Sequence, residues 1–261
     1  MTMHFEPWQW VLAIAAAILV GVSKTGIAGV GMLFVVIFAQ IMPAKQATGI
    51  VLPLLCFGDL VAVASYRQHT QWRFLWRLFP WTAVGVVIGY FALGRIDDRE
   101  TRLLIGLIVV SLVTLHVTRR LLAARKLKLE PLAAADGGAT AAEEYGWWFA
   151  PFIGVLAGFT TLVANAAGPL MVIYLLAMGL PKMEFVGTGA VFFMLLNLFK
   201  VPFMVHLGLI NSGSFTLNLL LAPAVFAGAL LGRKILTRID QKLFENLALG
   251  LSAVAGLKLL F

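Results

Sequence analysis

Apolar segments of about 15 to 25 residues follow one another along almost the whole chain, with short polar stretches between them. They lie near residues 8–22, 28–42, 46–66, 73–94 and 101–121, then 147–163, 167–180, 184–206, 213–234 and 242–260. Crossing a bilayer core takes roughly 20 helical residues. Lipid offers a backbone amide no partner, so only helices and closed barrels span it. The length and continuity of these runs select helices over the short alternating strands of a barrel. The chain is 61% hydrophobic and only 12% charged, about half the charge of a soluble domain. The sequence therefore predicts an all-α polytopic membrane protein whose surroundings are the lipid bilayer.

The net charge of +8 does not indicate nucleic acid as a partner, because the basic residues sit in loops between apolar runs, as the positive-inside bias requires. Cys56 is the one cysteine, which excludes a disulfide within the chain. Glu6 precedes the first apolar run and no lysine or arginine does. That run is expected as a first membrane segment rather than a cleaved leader.

The two halves repeat. Pro80, Gly85 and Gly89 recur with the same spacing as Pro223, Gly228 and Gly232, and Arg95-Ile96-Asp97 recurs as Arg238-Ile239-Asp240. A slightly different register brings Pro43 onto Pro181, Ser23 onto Thr161 and Asp59 onto Asn197. Each half holds a short pair of runs and three long ones, so it crosses three or five times. Both numbers are odd, so the halves have opposite orientations. The expected fold is two inverted repeats, each a short broken or re-entrant helix pair plus three long transmembrane helices, and such folds bind substrate near the midplane between repeats. The expected units are residues 1–124, a linker at 125–145 and a second repeat at 146–261. Basic residues of the linker, with Arg67, Arg73, Arg77, Arg233 and Lys234, mark the cytoplasmic side and put both termini outside.

Charges inside apolar runs are costly and ask for a reason. Lys24 stands in Gly21-Val22-Ser23-Lys24-Thr25-Gly26, with more glycines up to Gly31; Asp59 and Lys200 stand inside long runs. The first stretch reads as a helix break at Ser23, Lys24, Thr25 and Gly26. Pro202 is expected to bend or unwind the helix beside Lys200, and Asn197 shares a helix face with that lysine. The counterpart break in the second half carries Thr161, Asn165 and Gly168, with Pro169 as a helix-start signal. Helix N-termini at these breaks would favour an anion, and two lysines add charge of the right sign. Asp59 is open to three roles, proton carrier, counter-ion of Lys24 or helix-packing polar group, and the counter-ion role is the most economical, because an unpaired lysine in apolar surroundings would tend to lose its proton. Lys182 is expected in a wet loop. The single histidines His69, His116 and His206 have no metal-ligand spacing around them, so no metal and no cofactor is implied.

These motifs, together with Pro53, the Tyr66-Arg67 end, Phe159-Thr160-Thr161, Gly179-Leu180-Pro181-Lys182 and Asn197-x2-Lys200-x-Pro202, resemble the TauE/SafE sulfite-exporter family over nearly the whole chain. The resemblance implies a permease for sulfite or a related organosulfur anion in a bacterial inner membrane, and not an enzyme. Many members carry glycine at the position of Thr25 and histidine at that of Asn165. Sulfite export is the leading expectation. Movement of a sulfonate, thiosulfate or small carboxylate is the alternative. A membrane-embedded enzyme would need paired catalytic groups, a metal motif or a nucleotide loop, and the sequence offers none of these patterns.

Overall fold

The apolar runs fold as helices because lipid and protein interior alike leave the backbone no other partner. The computed structural model of the chain describes residues 5–26, 44–93 and 146–240, with single positions elsewhere such as Phe34 and Phe38. In those residues seven α-helices follow in order: α1 Pro7–Thr25, α2 Ala44–Tyr66, α3 Trp72–Ala92, α4 Phe149–Ala164, α5 Gly168–Ala177, α6 Lys182–His206 and α7 Ser212–Arg238. No strand occurs among the described residues, and α2 and α3 are joined by a short 3₁₀ turn at Arg67–His69. Five helices are long and apolar enough to cross a membrane, and α4 and α5 are the short ones. Apart from single positions, the expected runs 101–121 and 242–260 lie outside the described residues, as do the linker 125–145, His116 and most of 28–42.

Local chemistry sets the helix ends. Glu6 and Gln9 form a capping box at the start of α1, where Pro7 fills the first turn, a position that needs no amide proton. Asn211 and Ser214 cap each other reciprocally at the start of α7. Two expectations need correction. The break in the first stretch lies later than expected: Ser23, Lys24 and Thr25 form the last turn of α1, and the helix ends only at Gly26. Pro202 does not unwind its segment either, since α6 runs unbroken from Lys182 to His206. A single proline removes one hydrogen bond, and the packed neighbours of α6 hold the rest of the ladder.

Glycine decides which helices touch. A Cβ on Gly21 would lie 2.1 Å from the carbonyl oxygen of Val225, and one on Gly228 would lie 2.1 Å from that of Ile18. The backbones of α1 and α7 are therefore in direct contact, running parallel, since Gly232 meets Val22 and Thr25 farther along. Helices α3 and α4 pack the same way. A Cβ on Gly85 would lie 2.1 Å from the Val155 oxygen, and one on Gly158 2.0 Å from that of Thr82. Small residues allow such close approach where lipid supplies no hydrophobic drive. Helices α2 and α6 instead run antiparallel, with Gly49 against Leu209 at one end and Gly187 against Tyr66 at the other. The outer surface is apolar, with Phe91, Leu220 and Leu230 exposed.

Backbone clashes of this kind cannot be relieved by rotamer changes. Gly21→Ala and Gly158→Ala should each lower the melting temperature of the purified protein, at a cost of at least the 1–3 kcal/mol typical of overpacking. Gly189→Ala, whose added methyl meets only Leu175 at 3.7 Å, should melt close to the parent.

Candidate functional site

Two helix ends and two helix interiors meet at the site. The last turn of α1 brings Lys24. Helix α4 ends because Asn165 adopts the left-handed conformation, φ 51°, which asparagine tolerates better than most side chains. Its amide still closes onto the Thr161 carbonyl at 2.9 Å. Helix α5 then begins at Gly168 with Pro169 in its first turn. It folds back along α4, so that Tyr174 stacks on Phe149 with ring centres 6.1 Å apart. Helix α2 contributes Asp59, and α6 contributes Phe193, Asn197 and Lys200, spaced to share one face.

The charges are joined in one chain. The ammonium of Lys24 lies 2.8 Å from Asp59 Oδ1 and 4.5 Å from the centre of the Phe193 ring, a cation–π distance. Asp59 Oδ2 accepts from Asn197 Nδ2 at 2.7 Å. Asn197 Oδ1 in turn accepts from Lys200 Nζ at 3.3 Å. Lys200 gives its other two protons to Asn165 Oδ1 at 2.7 Å and Thr161 Oγ1 at 3.0 Å. Lys200 Nζ thus has three oxygen partners, as many as an ammonium has protons. Asn165 Nδ2 closes the chain onto the Thr48 carbonyl at 3.0 Å.

A cavity lies against this chain, its free space about 800 Å³ with the open solvent at its mouth included. Ser23, Lys24, Gly26, Asp59, Thr161, Asn165, Gly168 and Asn197 line it. Two residues of the expected set do not. Thr25 turns away, and its hydroxyl donates to the Ala229 carbonyl at 2.6 Å while its carbonyl accepts from the Tyr66 hydroxyl at 3.0 Å. Lys200 is fully buried and stands behind Thr161, Asn165 and Asn197. An ion in the cavity thus reaches the Lys24 ammonium directly and feels Lys200 only through those side chains. Lys182 is not in a wet loop. It is partly buried and donates to the carbonyls of Leu236 and Ile239, capping the C-terminal end of α7. Phe193 was not singled out in the sequence, although its place four residues before Asn197 put it on the same face.

A family model described as Sulfite exporter TauE/SafE matches residues 13–259. The chain belongs to the TauE/SafE sulfite exporter family. Neither the curated proteins nor the solved structures yield a match. TauE/SafE membership makes it a membrane transporter of the anion-exporter type. The long apolar helices agree with a multi-pass membrane protein.

Within this TauE/SafE protein the Lys24–Asp59 pair is buried enough that losing one partner strands the other. Asp59→Ala should destabilise by about 3–5 kcal/mol, the usual cost of breaking a buried pair, read as thermal unfolding in detergent. Lys24→Met combined with Asp59→Leu should recover at least half of that loss, because no charge is then left alone on the pair.

Proposed function

We propose that this TauE/SafE protein exports a small sulfur-containing anion of the sulfite and sulfonate type, bound between two inverted halves. The observation that carries the proposal is the cavity edge formed by Lys24. It is a cation open to the cavity, held by Asp59 and Phe193 and continued by Asn197 and Asn165 toward a second cation behind the wall. The N-terminal turn of α5 at Gly168 borders the same cavity and adds unpaired amides of the sign an anion needs. Ser23, Gly26, Thr161, Asn165, Gly168 and Asn197 supply polar contacts, while Thr25 and Lys200 support the site from behind.

The inverted architecture is supported by reciprocal packing. The glycine of α7 that meets α1 and the glycine of α3 that meets α4 are repeat equivalents, so each half's glycine helix grips the other half's first helix. Asp59 and Asn197, equivalent in sequence and 138 residues apart, hydrogen-bond to each other where α2 and α6 cross antiparallel. Contact between sequence-equivalent residues on antiparallel helices is what a two-fold axis between the halves would give. The α4–α5 fold-back fits a re-entrant hairpin, with residues 1–124 as the first repeat and 146–261 as the second. Arg67 and Arg73 lie near the α6 start, as do Arg233 and Arg238 near the α7 end, which Lys182 caps. This basic end is assigned to the cytoplasm of a bacterial inner membrane, with the termini in the periplasm and residues 125–145 a cytoplasmic linker.

A cytoplasm-negative potential drives a monoanion outward by about 2.3 kcal/mol per 100 mV, so export needs no coupled ion when Asp59 serves only to hold Lys24. In proteoliposomes loaded with sulfite, efflux should follow an imposed membrane potential and ignore an imposed pH gradient. Lys24→Ala should lower it at least tenfold, whereas exposed Lys234→Ala should leave it near the parent rate. Flux driven by the pH gradient and lost in Asp59→Asn would instead make Asp59 a proton carrier.

A further inference from the structure

Asp59 and Phe193 hold the ammonium of Lys24, but the backbone that carries it needs a hold of its own. Lys24 stands one residue from the end of α1, where the last four carbonyls of a helix have no partner within it. Helix ends fray for that reason. A frayed turn would carry the ammonium away from Asp59 and from the cavity wall together. The end itself is weakly capped. Gly26 adopts φ −121° and ψ −96° rather than the left-handed conformation that closes many helices, and its amide returns to the Val22 carbonyl at 2.8 Å.

The residue after Lys24 is gripped from two sides. The Thr25 hydroxyl donates to the Ala229 carbonyl of α7 at 2.6 Å. The Thr25 carbonyl, one of the four left over at the helix end, accepts from the Tyr66 hydroxyl at 3.0 Å. Tyr66 is the last residue of α2 and is buried. Asp59 precedes it by two helical turns, so the two side chains leave α2 on the same face. Helix α2 thus holds α1 at two points, Asp59 at the Lys24 side chain and Tyr66 at the backbone beside it. Tyr66 is itself fixed. A Cβ on Gly187 of α6 would lie 2.6 Å from its carbonyl oxygen, and just beyond it the Gln71 amide donates to Thr188 Oγ1 at 2.9 Å. Tyr66 does not line the cavity, so its hydroxyl acts on an ion only through the turn it holds.

Resting on the transport reading above, we propose that Tyr66 is a positioning residue of the anion site. Its hydroxyl fixes the last turn of α1, so that an anion drawing Lys24 from Asp59 moves a side chain and not a helix end. Binding then bears no cost of ordering that turn.

The experiment is calorimetric titration of the full chain in detergent with sulfite and with methanesulfonate, paired with thermal unfolding, for the parent, Tyr66→Phe and Tyr174→Phe. Each variant keeps its ring and loses one hydroxyl-to-carbonyl bond; that of Tyr174 runs to Phe74 at 3.1 Å, away from Lys24. Both variants should melt slightly below the parent. Tyr66→Phe should weaken anion binding about fivefold, the equivalent of one net hydrogen bond, whereas Tyr174→Phe should bind as the parent does. A merely structural hydroxyl would lower the melting temperature and leave the affinity alone. Parent-like affinity in Tyr66→Phe, or an equal loss in both variants, would overturn the positioning role and leave anion export standing. No binding of either anion to the folded parent would overturn both.

Discussion

The ion pair between Lys24 and Asp59 is the contact on which the rest of this structure depends. A lysine at the end of α1 among apolar segments needs a partner, and the only described carboxylate within its reach belongs to α2. Bringing them together requires α1 and α2 to approach closely. Gly58 permits it, since a Cβ there would lie 2.9 Å from Lys24 Cγ. The remaining Asp59 oxygen then needs a donor, which fixes Asn197, and the other end of Asn197 needs one too, which fixes Lys200. Helices α1, α2 and α6 are thus held by one uninterrupted series, which Lys200 carries on to Thr161 of α4.

Such a series is not there for stability alone. Apolar side chains of similar volume often replace a buried ionic network at no loss, and sometimes at a gain. It keeps one lysine at a cavity wall with its charge balanced by Asp59. On the proposed reading, an arriving anion would compete with Asp59 for Lys24 and would not have to create a charged pocket. Lys200 meanwhile locks the α4 end, through Thr161 and Asn165, to α6. A change at Lys24 is therefore mechanically connected to the turn between α4 and α5.

Much of this was legible in the sequence for a simple reason: a charge in an apolar run is conspicuous, and so is a proline–glycine pattern that occurs twice. Lys24, Asp59, Asn197 and Lys200 could be named before any geometry was known. Phe193 could not be separated from the other phenylalanines, 19 in all, because its role depends on a cation arriving from a distant helix. The division between Lys24 at the wall and Lys200 behind it was equally hidden, since both read as lysines near helix irregularities. Pro202 misled because proline's local cost is visible in a sequence while the packing that outweighs it is not. Lys182 misled because the carbonyls it caps lie more than fifty residues away, at Leu236 and Ile239.

The most direct measurement is a structure of the protein with 2-bromoethanesulfonate, in which anomalous scattering locates the bromine and ordinary density the sulfonate. The sulfonate should lie within hydrogen-bond reach of Lys24 Nζ and the Asn197 side of the cavity, with the bromine inside the same cavity and Lys200 untouched behind the wall. A sulfonate bonded to Lys200, or seated on the outer surface with the cavity empty and the Lys24–Asp59 contact unchanged, would contradict the account.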